Sequence, residues 1–80
     1  MFKPTLKQIE YFIALSDSLS FNRAADSVNV TQSALSNSIR DLEDGLKLKL
    51  FDRTSRVVQM TEDGRKLLPE AKEIYAAQSI

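Results

Sequence analysis

The sequence predicts a small, mainly α-helical domain with one short β-hairpin. Eighty residues limit the chain to one domain with a single modest core. Three segments repeat apolar residues at three- and four-residue spacing behind a helix-capping side chain, which is typical of amphipathic helices. A fourth segment places apolar residues on both sides of a polar turn, which is typical of a hairpin.

The composition excludes several classes of function. The chain has no cysteine and no histidine, so it lacks disulfides, the commonest zinc ligands, and the side chains of Ser-His-Asp and Cys-His catalysis. We therefore expect no metal, no cofactor and no enzymatic activity. No apolar run approaches the roughly 20 residues that cross a bilayer, so we expect a cytoplasmic, nucleoid-associated protein without membrane contact.

Two helices are predicted in the first third of the chain. Thr5, followed three residues later by Gln8, forms a capping box that starts a helix over about 6–17. Ser20 is the next N-cap candidate and opens a short helix over 21–28. Its paired alanines would let another helix cross closely, although alanine is also simply the best helix former.

A tight turn then leads into a longer third helix. Asn29 tolerates the left-handed conformation that such a turn requires, and Thr31 caps a helix over about 32–46. Short helix, tight turn and longer helix are the outline of a helix-turn-helix, which many DNA-binding domains contain but which any small helical domain can also show.

The third helix has two chemically different faces. At roughly 100° per residue, one face carries an apolar stripe of Leu35, Ile39, Leu42 and Leu46. The opposite face carries Ser33, Ser36, Asn37, Arg40 and Asp44. A solvated face is the usual explanation for such residues. Short hydroxyl and amide side chains, however, are weak helix formers that approach a groove closely and bond to base edges, so this composition favours a DNA-reading surface.

Charge is segregated along the chain although it cancels overall. The 11 basic and 11 acidic residues fall short of the basic excess expected of a DNA-binding domain. Residues 47–61 nevertheless carry four basic side chains and one acid, Asp52. Helix N-termini also attract phosphates, so Ser20 and Thr31 are candidate phosphate positions as well as ordinary caps.

Residues 47–60 predict a two-stranded hairpin with a polar turn near Thr54 and Ser55. Neither turn position is glycine or asparagine, so we expect a looser connection than a two-residue turn. Arg53 and Arg56 flank the tip, where they are placed to hold phosphates or enter a minor groove. Charges that keep an exposed edge soluble are the alternative explanation.

A final helix begins after Thr61, which caps it. Pro69 predicts a kink in this helix. Its apolar stripe consists of Leu67, Leu68, Ala71, Ile74 and Tyr75. Because one small domain has little surface to cover so long a stripe, we expect a dimer contact, with Ile74 and Tyr75 as the best candidates. An intramolecular core contact is the alternative for the first half of the stripe.

Several strings, in their order and spacing, resemble the N-terminal domain of LysR-type transcriptional regulators. They are Phe12 with Ala14, Ser20-Phe21-Asn22-Arg23-Ala24-Ala25, Val30-Thr31-Gln32-Ser33-Ala34-Leu35-Ser36, Ile39-Arg40-Asp41-Leu42-Glu43, Leu50-Phe51-Asp52-Arg53, and Leu68 after Thr61-Glu62-Asp63-Gly64. The resemblance implies a winged helix-turn-helix of three helices and a two-stranded wing over 1–61, followed by a linker helix over 62–80. That helix would pair with its copy in a homodimer on double-stranded DNA.

The resemblance also implies partners and contacts. The DNA would carry an interrupted inverted repeat, a full-length protein would form a dimer or a tetramer, and the small-molecule effector would bind a domain outside this chain. In the family, the bases are approached by the residues that match Gln32, Ser33, Ser36 and Asn37. The DNA backbone or the minor groove is contacted by the residues that match Arg53 and Arg56. The full predicted DNA-binding set is Ser20, Asn22, Arg23, Thr31, Gln32, Ser33, Ser36, Asn37, Arg40, Arg53, Thr54, Ser55 and Arg56.

Three positions depart from the family pattern. Ser33 stands where proline is frequent, and Asn37 stands where arginine is common, which exchanges a guanine-preferring fork for an adenine-preferring amide. Lys47 stands where a glycine usually ends the third helix, so either Lys47 is left-handed or the cap is built differently.

A winged helix that serves only protein interaction or dimerisation is the alternative function, because the net charge is zero and the last helix is apolar.

Overall fold

The computed structural model describes residues 2–54 and 57–78. Along the chain these residues form α1 (Leu6–Ser18), α2 (Phe21–Ser27), α3 (Gln32–Leu46), β1 (Phe51–Asp52), β2 (Gln59–Met60) and α4 (Glu62–Gln78). This order confirms the predicted mainly helical domain with a two-stranded wing. Within the described ranges, no helix combines the length and the apolar character that spanning a membrane requires.

The helices begin at the predicted caps. Thr5 Oγ1 accepts a hydrogen bond from Gln8 N at 3.1 Å, and Gln8 Oε1 accepts one from Thr5 N at 2.9 Å, which confirms the capping box. Ser20 Oγ accepts from Arg23 N at the start of α2, and Thr31 Oγ1 accepts from Ala34 N at the start of α3. Each cap satisfies a backbone N–H that has no partner within its own helix.

Among the residues that the structure describes, three adopt left-handed backbone conformations. Asn29 has a φ of 58° in the turn between α2 and α3, as predicted. Lys47 has a φ of 58° and a ψ of 37° after the last turn of α3, so the left-handed alternative is the one that occurs. Leu19, with a φ of 53° after α1, was not predicted, because a leucine carries no signal for this conformation.

The core lies where α1 packs against α2, α3 and α4. Ala24 and Ala25 are buried in α2, which packs against both α1 and α3, so the close-crossing interpretation of the paired alanines is supported. The largest fully buried side chains are Phe12, Leu15, Leu35, Ile39, Leu42 and Leu50. The predicted apolar stripe of α3 therefore anchors this helix and leaves its opposite face outside.

The wing is a short antiparallel ladder that pairs Phe51 with Met60 and Asp52 with Gln59. Because β1 ends at Asp52 and β2 begins at Gln59, the connection is longer than a two-residue turn, as predicted. Phe51 anchors the base of the wing, because its ring packs edge-on against Phe12 at 5.6 Å between ring centres.

Helix α4 starts at the predicted cap and runs along the core. Thr61 Oγ1 accepts from Gly64 N at 3.0 Å and donates to the carbonyl oxygen of Lys49. The helix extends through Pro69, and the kink expected there stays a prediction. Ala71 is fully buried, whereas Ile74 is 49% exposed. The other three residues of the predicted dimer stripe, Leu67, Leu68 and Tyr75, are partly buried against the core.

Candidate nucleic-acid interface

The outer face of α3 brings five of the predicted DNA-binding residues together. Gln32, Ser33, Asn37 and Arg40 are exposed and Ser36 is half-buried. These five side chains line one open depression of about 380 Å³. Hydroxyl, amide and guanidinium groups thus meet on one rigid surface, whose opposite side is held by fully buried leucine and isoleucine side chains.

A second depression joins this face to the wing and to the start of α2. It has a volume of about 370 Å³ and is lined by Leu19, Ser20, Phe21, Asn22, Gln32, Val57 and Val58. Ser20 and Asn22 therefore lie beside Gln32 of the α3 face, and their contact with DNA stays a prediction. Thr31 is exposed at the start of α3, where its hydroxyl oxygen already accepts from Ala34 N at 3.0 Å.

Arg23 lies apart from the other predicted contact residues. It lines an open groove of about 450 Å³ between α1, α2 and α4, together with Glu10, Asp17 and Tyr75. The structure thus places Arg23 on a surface different from that of Asn37 and Arg40.

Arg53 has two partners inside the chain. Its Nη2 lies 3.4 Å from Glu43 Oε1 on α3, and its guanidinium carbon lies 4.9 Å from the ring centre of Phe21 on α2. The side chain of Arg53 is 32% exposed. The guanidinium therefore links the wing to both helices of the helix-turn-helix. Ser55 and Arg56, also predicted to contact DNA, lie outside the described residues.

Thr54 is bonded to the neighbouring carboxylate. Its hydroxyl donates to Asp52 Oδ1 at 2.6 Å and its backbone N–H donates to the same oxygen at 2.9 Å. Both bonds favour the ionised carboxylate and therefore lower the pKa of Asp52. The bond from the Thr54 hydroxyl has the larger effect on this pKa and the bond from the backbone N–H the smaller. The Thr54 hydroxyl is accordingly already committed as a donor within the wing.

Sequence reasoning did not assign a role to Glu43. The side chain is buried, 3% exposed, and lies between the buried Leu42 and the exposed Asp44 along the chain. Its Oε2 accepts from Leu50 N at 2.7 Å and from Phe51 N at 3.2 Å. A carboxylate one residue after the buried Leu42 was the only available signal, and it does not distinguish a buried acceptor from an exposed charge.

No metal site accompanies this surface. Among the described residues, no group of histidine, cysteine, aspartate or glutamate side chains could hold a metal ion. The α3 face can form hydrogen bonds through short polar side chains, and positively charged arginine side chains lie beside them.

Comparison with protein families finds a match over most of the chain. The family described as bacterial regulatory helix-turn-helix protein, lysR family, matches residues 6–65. The chain is 44% identical over 72 residues to the uncharacterized HTH-type transcriptional regulator YbhD of Escherichia coli K12, which covers 90% of this chain and 23% of that protein. It is 46% identical over 69 residues to the hydrogen peroxide-inducible genes activator of Haemophilus influenzae, covering 86% and 23% respectively. The chain thus spans about a quarter of the length of these relatives.

Solved structures of similar fold include proteins bound to DNA. Oxidized OxyR of Corynebacterium glutamicum superimposes with a TM-score of 0.92 at 36% identity, over 96% of this chain and 25% of that one. The complex of BenM_DBD with the catB site 1 DNA has a TM-score of 0.87 at 33% identity and covers 91% of this chain and 82% of that one. Vibrio fischeri DarR in complex with DNA has a TM-score of 0.89 at 33% identity, with coverages of 94% and 26%.

Proposed function

The chain belongs to the LysR family of bacterial helix-turn-helix regulators, and we propose that it reads double-stranded DNA sequence through the outer face of α3. The observation that carries the proposal is the depression formed by Gln32, Ser33, Ser36, Asn37 and Arg40. Four of these residues lie in the N-terminal half of α3, which is the part of a recognition helix that contacts base edges in the major groove, and Arg40 lies just past the middle.

The residues of this face divide into two chemical roles. Gln32 and Asn37 carry amides that bond bidentately to the N6 and N7 edge of adenine, and the two serines bond to bases or phosphates. Arg40 supplies the positive charge of the face. We therefore propose that Asn37 selects one adenine in each half-site and that Arg40 contacts a phosphate.

The flanking elements hold the DNA backbone on either side of α3. Ser20 and Asn22 lie at the start of α2, Thr31 caps α3, and Thr54 lies two residues after the end of β1. Ser55 and Arg56 follow Thr54 in the sequence. Contacts to phosphates place a protein on DNA without reading its sequence. In this proposal the α3 face accordingly provides selectivity and these flanking elements provide much of the affinity.

We further propose that the full-length protein is a homodimer that binds an interrupted inverted repeat. The exposed Ile74 on α4 is the part of the predicted stripe that this chain leaves open to a second subunit. Two copies of one reading helix require two half-sites in inverted orientation. Relatives about four times as long leave room for an effector-binding domain after α4. The proposal involves no chemical reaction and places the protein on chromosomal DNA in the cytoplasm.

Salt dependence of duplex binding tests the proposal. A fluorescently labelled random 30-base-pair duplex is titrated with the protein at several potassium chloride concentrations, and binding is followed by anisotropy. We expect log K to fall linearly with log salt, with a slope of about −0.9 for each phosphate contact. Arg40→Gln should make that slope shallower by about one unit. Absence of duplex binding even at low ionic strength would contradict the proposal and favour a module for protein interaction.

A further inference from the structure

The buried carboxylate of Glu43 and the guanidinium of Arg53 lie at the junction between the reading helix and the wing. We infer that this pair positions the wing against α3, and that Arg53 serves DNA binding through Glu43 instead of through a phosphate. The inference rests on the proposed function, because it assigns the wing a role in holding DNA. It replaces the phosphate contact that the sequence predicted for Arg53.

Glu43 ties α3 to the beginning of the wing. It is the one charged side chain that is buried among residues 2–54 and 57–78. Oε2 accepts hydrogen bonds from Leu50 N at 2.7 Å and Phe51 N at 3.2 Å, the two backbone N–H groups where the chain enters β1. A buried carboxylate lowers the stability of the fold unless it is paired and fully hydrogen-bonded. If Glu43 lost these partners, the start of the wing would no longer be held against α3.

Arg53 completes the connection from the other side. Its Nη2 reaches the second oxygen of Glu43 at 3.4 Å, while its guanidinium carbon lies over the Phe21 ring, 4.9 Å from the ring centre. Arg53 directly follows β1, and Phe21 is the first residue of α2. A planar guanidinium can pair through its edge and stack through its face at the same time, which an ammonium group cannot do.

This placement has consequences for DNA binding. The negative charge of Glu43 offsets the positive charge of Arg53, so the pair offers an approaching phosphate little net attraction. The depression between Gln32 on α3 and Val57 on the wing connection keeps its width only if the wing is held in place. Arg53 therefore affects affinity by setting this width.

The test begins with one substitution, at Glu43, whose electrostatic and positional effects on DNA binding have opposite signs. Glu43→Gln keeps an oxygen that can accept from Leu50 and Phe51, but it loses the charge that holds Arg53. Charge alone would strengthen DNA binding, because a negative group is removed. We expect instead about a tenfold loss of affinity for a duplex selected from random sequences, measured at a temperature where circular dichroism shows every variant folded.

A double-mutant cycle identifies the coupling. Arg53→Gln should lose affinity by about the same factor as Glu43→Gln, and the double variant should bind within about twofold of either single variant. Arg53→Lys should resemble Arg53→Gln, because lysine keeps the charge and loses the stacked, paired geometry. Arg40→Gln is the matched control for Arg53→Gln, since it also removes one positive charge, but from the α3 face. Its loss of DNA affinity should add to the loss caused by Glu43→Gln.

Wing motion is read without DNA. The chain has no cysteine, so a nitroxide attached at Gln59→Cys, on the exposed side of β2, reports the wing alone. Its mobility should increase in the Glu43→Gln and Arg53→Gln variants and stay unchanged with Arg40→Gln. The positioning role is overturned if mobility stays unchanged in both, if Arg53→Lys retains full affinity, or if Glu43→Gln binds DNA as tightly as the parent. If no duplex binds at all, the proposed function fails while the nitroxide result still decides the positioning role.

Discussion

Gly64 on α4 packs directly against the backbone of Leu50, so that a Cβ built on Gly64 would overlap the Leu50 carbonyl oxygen. Leu50 is fully buried, and its carbonyl oxygen also accepts from Thr61 N at 3.0 Å. The missing side chain at Gly64 therefore allows α4 to meet the segment that leads into the wing. The position of α4 against the segment that leads into the wing depends on this contact.

Gly64→Ala should destabilise the fold by about 2 kcal/mol, because backbone cannot move aside as a flexible side chain can. The loss should occur although alanine is the better helix former. Urea denaturation gives the free energy of unfolding. Gly45→Ala is the control, since the three atoms nearest to its Cβ would belong to the ring of Phe2, an exposed side chain near the chain start. It should change stability by less than about 0.5 kcal/mol or increase it; equal losses for both variants would contradict the packing argument.

Lys47→Gly should stabilise the fold by about 0.5 to 1 kcal/mol. Lys47 holds a φ of 58° after α3, a conformation that costs an L-residue roughly 1 to 2 kcal/mol and glycine almost nothing. The greater freedom of glycine in the unfolded chain offsets part of that gain. Lys49→Gly, at an exposed position without a left-handed backbone, should lower stability. Thermal unfolding compares the two variants, and a loss at both positions would show that the Lys47 conformation is not strained.

The Asp52 carboxyl should titrate below the ordinary range for aspartate. The Thr54 hydroxyl and backbone N–H lower its pKa, so Thr54→Val should raise the pKa toward the ordinary value. A carboxyl with a lower pKa in the folded state adds stability above its unfolded pKa, and this stability is lost as the pH falls through the folded pKa. Carbon-detected NMR of the carboxyl measures the midpoint. Thr31→Val, which removes a hydroxyl that caps α3, should leave the Asp52 midpoint unchanged.

Asn37→Ala should weaken binding to the selected duplex by about 1 to 3 kcal/mol and relax the preference at one base step. A contact to a base edge contributes to binding of the selected duplex more than to binding of a random duplex, because a random duplex does not carry the same base at that step. Lys7→Ala, on the exposed surface of α1, is the control and should affect selected and random duplexes equally. Equal losses on both duplexes for Asn37→Ala would show that this side chain does not read a base.

Local rules were sufficient to predict the helices. Thr5, Ser20 and Thr31 bond to backbone groups three residues away, so a short window of sequence contains all the information. The apolar stripe of α3 likewise follows from its own periodicity: Leu35, Ile39 and Leu42 are fully buried, and Leu46 is partly buried against the core. Four residues of the predicted opposite face, Ser33, Ser36, Asn37 and Arg40, line one depression together with Gln32, and their contact with DNA stays a prediction.

Contacts between distant residues were beyond such rules. Glu43 pairs with groups seven to ten residues away across a change of secondary structure, and the sequence pattern does not show that the wing folds back onto α3. Arg53 was assigned to DNA for the same reason, since its pairing with Glu43 and Phe21 exists only in the tertiary fold. Ala71 is hidden against the core, whereas the helical pattern alone left open whether a second subunit would cover it.

The ratio between affinities for a selected and a scrambled duplex tests the central claim most directly. Sites are first selected from random duplexes with the protein, and dissociation constants for the best site and its scrambled form are then measured at one physiological salt concentration. If α3 reads bases, the selected site should bind about a thousandfold more tightly or better, with an adenine at the step that Asn37→Ala relaxes. Equal affinity for the two duplexes would contradict sequence reading by α3.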